Sequence, residues 1–232
     1  MKLLLISNSY SYGRGFLDHC IDEIRDFIGT RKEILFIPYA LHDHNNYSQI
    51  MSNRFSKIGC DVISIHRLQN VQEAINQAQI FFVGGGNTFR LLKSLYDNKI
   101  LDLMRERITN GIPYIGISAG ANIASPTIKT TNDMPIVYPP RLESLNLIPF
   151  QINPHYFEPD PNSKIMLESR SSRIKEFHEE NDSYVLGLRE GSYLRIENEN
   201  ILLKGESGVI LFVKDKEPKE YIPITNMSFL LN

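Results

Sequence analysis

Five short apolar runs alternate with helix-like segments over the first half of the chain. The runs are 2–8, 33–39 ("EILFIPY"), 61–68 ("DVISIHRL"), 80–83 ("IFFV") and 112–117 ("IPYIGI"). Between them, 16–28 places apolar residues at 16, 17, 20, 21, 24, 27 and 28, the spacing of one helix face. Segments 47–58, 70–78 and 88–110 are also helix-like, and Asn70 is placed to cap the second of these. Strands apolar throughout and joined by helices require a parallel sheet covered on both faces. In such sheets ligands bind beyond the carboxyl ends of the strands. Two strand ends here carry glycine-rich turns, Gly84-Gly85-Gly86-Asn87 and Gly116-Ile117-Ser118-Ala119-Gly120.

The second half is built differently. Six prolines fall between Pro126 and Pro154, so 125–163 reads as loop-rich, with an apolar strand-like segment before His155, followed by a charged helix over 162–180. From 183 onwards, strands alternate with turns at Glu199-Asn200 and Gly205-Glu206, which predicts an antiparallel extension of the sheet. The expected fold is therefore a three-layer α/β sandwich, with a mostly parallel central sheet flanked by helices and a C-terminal antiparallel β extension. Residues 1–232 contain no repeat or linker that would divide them, so one domain is expected.

Composition excludes several classes. A net charge of −2 offers no basic excess for nucleic acid or an anionic membrane. The apolar start, Leu3 to Ile6, is shorter than a signal-peptide core. Ile108 to Ile128 lacks charge, yet eleven of its 21 residues are Thr, Asn, Gly, Pro or Ser, and Pro113 and Pro126 would interrupt a helix. Neither segment is expected to meet lipid. Cys20 and Cys60 are far apart and outside any metal-ligand spacing, as expected of reduced thiols in a cytoplasmic protein.

The stretch "YIGISAGANIASP" (114–126) sets Ser118 between two glycines just past a buried strand. Gly-x-Ser-x-Gly there matches a nucleophile elbow, in which small neighbours let a sharp turn expose the hydroxyl. A plain tight turn is the competing reading. A serine nucleophile needs a base and an orienting acid. His19 and His178 fall in helical patterns and read as surface residues, and His42 and His44 as a solvated loop around Asp43. His66 ends a strand. His155, in "QINPHYFEPDP", follows Pro154, which stiffens the backbone before it. Two acids remain open: Asp133 in "TTNDMP" and Glu190 in "GLREGSY". The triple glycine at 84–86 could admit an oxyanion or a phosphate, but it lacks the Lys-Ser/Thr of a P-loop and the spacing of a dinucleotide fingerprint.

Taken in order, several segments resemble the peptidase E (alpha-aspartyl dipeptidase) family. They are "LLLISNS" (3–9), "FIPYA" (36–40), "SIHRL" (64–68), "VGGGNTFRLLK" (83–93), "YIGISAGAN" (114–122), "PTIKTTNDMPIV" (126–137), "LIPFQINPH" (147–155) and "GLREGSYL" (187–194). The resemblance implies a fold like that of class I glutamine amidotransferases and a serine peptidase that cleaves after an N-terminal aspartate. It implies Ser118 as nucleophile, His155 as base and Glu190 as orienting acid, with oxyanion N–H groups at Gly86 and Ala119. It also implies that Arg170 meets the substrate carboxylate and that Asp133 meets its ammonium, with Asn87, Thr131 and Asn132. It implies no metal or cofactor, a small peptide as partner, a cytoplasmic monomer or homodimer, and neither nucleic acid nor membrane. A cyanophycinase-like β-aspartyl peptidase on the same scaffold is the alternative activity. A non-enzymatic anion-binding domain is the alternative class. Arg189, where the family commonly has proline, and the acidic loop after His155 depart from the pattern.

Overall fold

The computed structural model describes residues 1–158 and 168–231. The apolar runs form strands β1 (Lys2–Ile6), β2 (Glu33–Ile37), β3 (Asp61–Ser64), β4 (Phe81–Val83) and β5 (Tyr114–Ile117). They pair in parallel in the order β3-β2-β4-β5-β1. Two later strands, β8 (Ser192–Glu197) and β9 (Asn200–Gly205), continue the sheet antiparallel from β1.

Alternation along the strands separates two cores. Leu3, Leu5, Phe81 and Val83 point to one face with α3 (Val71–Gln77), α4 (Thr88–Asp97) and α5 (Leu101–Thr109). Leu4, Ile6, Phe36 and Phe82 point to the other with α1 (Ile21–Ile28) and α2 (His44–Phe55). These are the three expected layers. Each fully buried Leu, Ile or Phe stabilises the fold by roughly 1.5–3 kcal/mol, so both faces are strongly specified. Asn70 caps α3, its side chain accepting from the Glu73 N–H at 3.1 Å.

Three local expectations are corrected. The strand expected over 61–68 stops at Ser64 and continues as a 3-10 turn, Ile65–Arg67. Its partner β2 ends one residue past the Phe36↔Ser64 pair, leaving no ladder to extend. The helix expected from residue 16 begins at Ile21, because Leu17 adopts a left-handed conformation (φ 60°) and a 3-10 turn intervenes. The C-terminal strands divide between two sheets instead of forming one extension. Strands β6 (Gln151–Tyr156), β7 (Val185–Arg189), β10 (Val209–Phe212) and β11 (Lys219–Tyr221) make a four-stranded sheet ordered β11-β10-β7-β6, with β6 and β7 parallel. The Glu190-Gly191 link, with Gly191 at φ +81°, carries the chain from this sheet into the central one.

Helix α7 (Arg170–Glu180) packs Ile174 against Tyr156, Val185 and Phe212 on the second sheet. The earlier part of the expected helix, 162–167, lies outside the described residues. His178, expected at the surface, is buried, with Nε2 3.0 Å from the Ser183 carbonyl. Among the described residues, no helix is long and apolar enough to cross a membrane.

Candidate active site

Strand β5 ends at Ile117 and turns at once into α6 (Ala119–Asn122). Ser118 sits at that turn with φ 53° and ψ −109°, a conformation an L-residue avoids. The flanking glycines are steric requirements. A Cβ on Gly116 would strike the Gly120 carbonyl, and one on Gly120 would strike the Val83 carbonyl. The Ser118 N–H donates to the Ile6 carbonyl at 2.9 Å, fixing the elbow to the end of β1.

His155 lies within β6, where the pairing with β7 slips between Pro154 and Tyr156. It too has positive φ, 53°. Its ring reaches two groups. Nε2 is 2.7 Å from Ser118 Oγ, and Nδ1 is 2.7 Å from Glu190 Oε1. A carboxylate only accepts, so Nδ1 carries a proton toward Glu190 and Nε2 is left to take the hydroxyl proton. The spatial order is Ser118, His155, Glu190, and Asp133 stands outside it.

Two residues absent from the sequence expectations hold this line together. Ser7 Oγ accepts from the His155 N–H at 2.9 Å and donates to the Leu188 carbonyl at 2.8 Å. Asn8 Oδ1 accepts from the Gly191 N–H at 2.7 Å, just past Glu190. Both are buried at the end of β1. They tie the second sheet, which carries His155 and Glu190, to the first, which carries Ser118. The available signal was two polar residues directly after the apolar "LLLI" of β1.

The glycine loop after β4 forms the adjoining wall. A Cβ on Gly84 would lie 2.6 Å from the Tyr47 ring, and one on Gly85 3.0 Å from Ser118 Cβ. Gly86, at φ +134°, leaves a Cβ no room beside the Ala40 carbonyl. The Gly85 N–H donates to the Tyr47 hydroxyl at 2.9 Å. The N–H groups of Gly86 and Ala119 meet no acceptor among the described residues, so both can serve a developing oxyanion.

Asp133 faces a cavity of about 400 Å³ that also contains Ser118 and His155. Its Oδ2 accepts from the Thr88 N–H at 2.7 Å and the Thr88 hydroxyl at 2.6 Å, at the start of α4, with Thr131 Oγ1 at 3.2 Å. Asn87 and Asn132 are engaged with the protein. Asn87 caps α4 and donates to the Met134 carbonyl, and Asn132 donates to the Pro154 carbonyl at 2.9 Å. Both therefore shape the loop around Asp133.

Arg170 opens α7 and donates through Nη1 to the same Pro154 carbonyl at 3.0 Å. Its guanidinium stacks over Phe157 at 4.5 Å, in a second cleft shared with His155 and Glu190. Burial lowers its pKa and Glu190 opposes that, but a guanidinium remains cationic. Arg189 is ion-paired to Glu158 at 3.0 Å and to Glu220, which secures the strand leading into Glu190.

The other histidines lie apart from this line. His44 packs its ring on His66 at 5.4 Å and on Tyr39 at 5.5 Å, and His42 is exposed. Among the described residues, no group of three His, Cys, Asp or Glu side chains is placed to hold a metal.

Known proteins share both the sequence and the fold. The chain is 45% identical to a peptidase E of Streptomyces coelicolor, over 100% of this chain and 96% of that one. It is 43% identical to a probable alpha-aspartyl dipeptidase of Drosophila melanogaster, over 99% and 97%. Two solved structures have the same fold. A putative peptidase E from Listeria monocytogenes superposes with a TM-score of 0.67 at 23% identity, covering 89% of this chain and 98% of that one. A peptidase from an acI-B1 Actinobacterium superposes with a TM-score of 0.74 at 17% identity, covering 98% and 96%. The model of peptidase family S51 matches residues 3–204, and the chain belongs to that family.

Proposed function

We propose that this protein is a cytoplasmic serine dipeptidase that hydrolyses the bond after the N-terminal aspartate of Asp-X dipeptides. One observation carries the proposal: the continuous hydrogen-bonded line Ser118–His155–Glu190 lies beside the Asp133 carboxylate and the Arg170 guanidinium. Ser118 Oγ attacks the scissile carbonyl while His155 Nε2 takes its proton. The Gly86 and Ala119 N–H groups receive the oxyanion. His155 then returns the proton to the departing amine, leaving an aspartyl ester on Ser118. Water, deprotonated by the same nitrogen, hydrolyses that ester and regenerates the serine. Glu190 holds the imidazole and stabilises its charged form.

Asp133 supplies the charge for the substrate's free ammonium. Arg170 supplies the fork for the aspartate carboxylate. The Drosophila relative's description as a probable alpha-aspartyl dipeptidase supports this specificity. Free Cys20 and Cys60 suit a reducing compartment.

Release of aspartate from Asp-Leu tests the proposal. Ser118→Ala is expected to lose roughly 10⁶ in kcat, the scale for removing a triad serine. Arg170→Met is expected to erase the preference of Asp-Leu over Ala-Leu. Equal activity of Ser118→Ala and the wild type would refute the mechanism. Faster cleavage of β-aspartyl-leucine than of Asp-Leu would move the chain to the isopeptide activity.

A further inference from the structure

We infer that the apolar half of the cleft is the subsite for the side chain of X, and that it selects large aliphatic and aromatic leaving residues. This rests on the Asp-X proposal and extends it to the other side of the scissile bond. The cavity at Ser118 is chemically two-sided. On its polar side it holds Asp133, and Arg170 lies in the adjoining cleft that shares His155, where Arg170 and Asn132 both donate to the Pro154 carbonyl. Those groups match the ammonium and carboxylate of the acyl residue. The apolar wall comes from different elements: Tyr10 and Phe16 after β1, Leu41 after β2, and Ile50 on α2.

This wall is apolar and firmly supported. Phe16 packs against Tyr10 at 5.3 Å and edge-on against Tyr47 at 6.4 Å. Tyr47 is in turn pinned by Phe36 at 5.0 Å and by the Gly85 N–H. Tyr10 nevertheless keeps 54% of its surface exposed and Leu41 39%. Apolar surface held open beside a nucleophile gains by covering a ligand's apolar group. Among the described residues, no Lys, Arg or Glu lines this cavity; its ionisable groups are Asp133, His155 and the tyrosines.

The wall is also correctly placed for a leaving group. A Cβ on Gly86 would fall 2.7 Å from Leu41 Cδ2, so Leu41 borders the proposed oxyanion N–H. An X side chain projecting from the departing amine, beside His155, enters this half.

The preference has a kinetic signature. Every Asp-X substrate passes through the same aspartyl-enzyme, so X affects acylation and not deacylation. It acts on kcat/KM, and kcat values converge wherever deacylation limits. The test measures kcat/KM for Asp-Gly, Asp-Leu, Asp-Phe, Asp-Lys and Asp-Glu. Asp-Leu and Asp-Phe are expected to exceed Asp-Gly by about 10- to 100-fold, the range apolar pockets achieve. Asp-Lys and Asp-Glu are expected to fall below both. Ile50→Glu is expected to lower the Asp-Phe to Asp-Lys ratio at least tenfold. Leu41→Lys, on an exposed loop, is the second variant and is expected to lower the Asp-Phe to Asp-Glu ratio. Five wild-type values within threefold of one another, or a preference for glycine or charged X, would overturn the inference and leave the Asp-X activity standing. No cleavage of any of the five would instead refute the activity itself.

Discussion

Tyr47→Phe removes one oxygen atom and isolates one role. The ring stays, still packed on Phe36 and against Gly84. What disappears is the only hydrogen-bond acceptor found for the buried Gly85 N–H among the described residues. Leaving a buried donor unsatisfied costs about 1–3 kcal/mol. For a domain of this size, each kcal/mol lowers Tm by about 2–4 °C, so a fall of roughly 2–12 °C is expected. The same bond positions the glycine loop that presents the Gly86 N–H. Removing an oxyanion donor outright costs about 10²–10³ in kcat. Displacing one is expected to cost less, about tenfold, and mainly in kcat. Burial holds the Tyr47 phenol protonated far above its ordinary range, so the effect should not vary with assay pH. Thermal melting and Asp-Leu kinetics from pH 6 to 9 measure both quantities. An unchanged Tm together with unchanged kcat would refute this role. A change confined to KM would mean that Tyr47 acts only as a wall of the substrate cavity.

Three further outcomes follow from glycine contacts and from burial. Gly85→Ala places a Cβ 3.0 Å from Ser118 Cβ and 3.3 Å from the Ile117 carbonyl, so it should displace the nucleophile by a few tenths of an ångström. A loss of kcat near 10²-fold is expected in a protein that still folds, whereas Gly120→Ala meets the rigid Val83 carbonyl and should fail to accumulate as soluble protein; wild-type kcat in Gly85→Ala would contradict the first. Among the described residues neither buried ring nitrogen of His19 has a hydrogen-bond partner, and burial lowers its pKa against the pull of Glu206. The folded chain then binds this proton less readily than the unfolded chain, so stability is full above pH 6.5 and declines as pH falls through the depressed value. Melting curves from pH 5 to 8 should show His19→Leu losing less Tm on acidification than the wild type, and parallel curves would dismiss His19 as a source.

The parallel sheet, its two cores and the sharp turn at Ser118 were legible because each is written in consecutive residues. Runs such as "IFFV" identify strands buried on both faces, and the Gly-x-Ser-x-Gly spacing states the steric need of one sharp turn. The Asn70 cap was legible for the same reason. The division of the C-terminal strands was not. The segments "VLGL" and "YLRI" have similar patterns, and only the Glu190-Gly191 link sends them to different sheets. His178 was misplaced because a charged helix hides a buried polar position, which tertiary packing alone selects.

The choice between Asp133 and Glu190 marks the same boundary within the site. From the residues alone, both acids stood in plausible turns, and only the family resemblance favoured Glu190. In the fold, Asp133 is held at the start of α4, while Glu190 reaches His155 Nδ1. Ser118 and His155 are 37 residues apart, and His155 and Glu190 are 35. No local periodicity encodes contacts at such separations. They depend on the β6–β7 register and on buried Ser7 and Asn8, which dock one sheet against the end of the other. The sequence by itself determined the layers and a sharp turn that presents the Ser118 hydroxyl or merely reverses the chain, because hydrophobic period and turn sterics are short-range. Which histidine meets that hydroxyl, and which carboxylate meets the histidine, was decided only in three dimensions, where strand register brings distant side chains within hydrogen-bond reach.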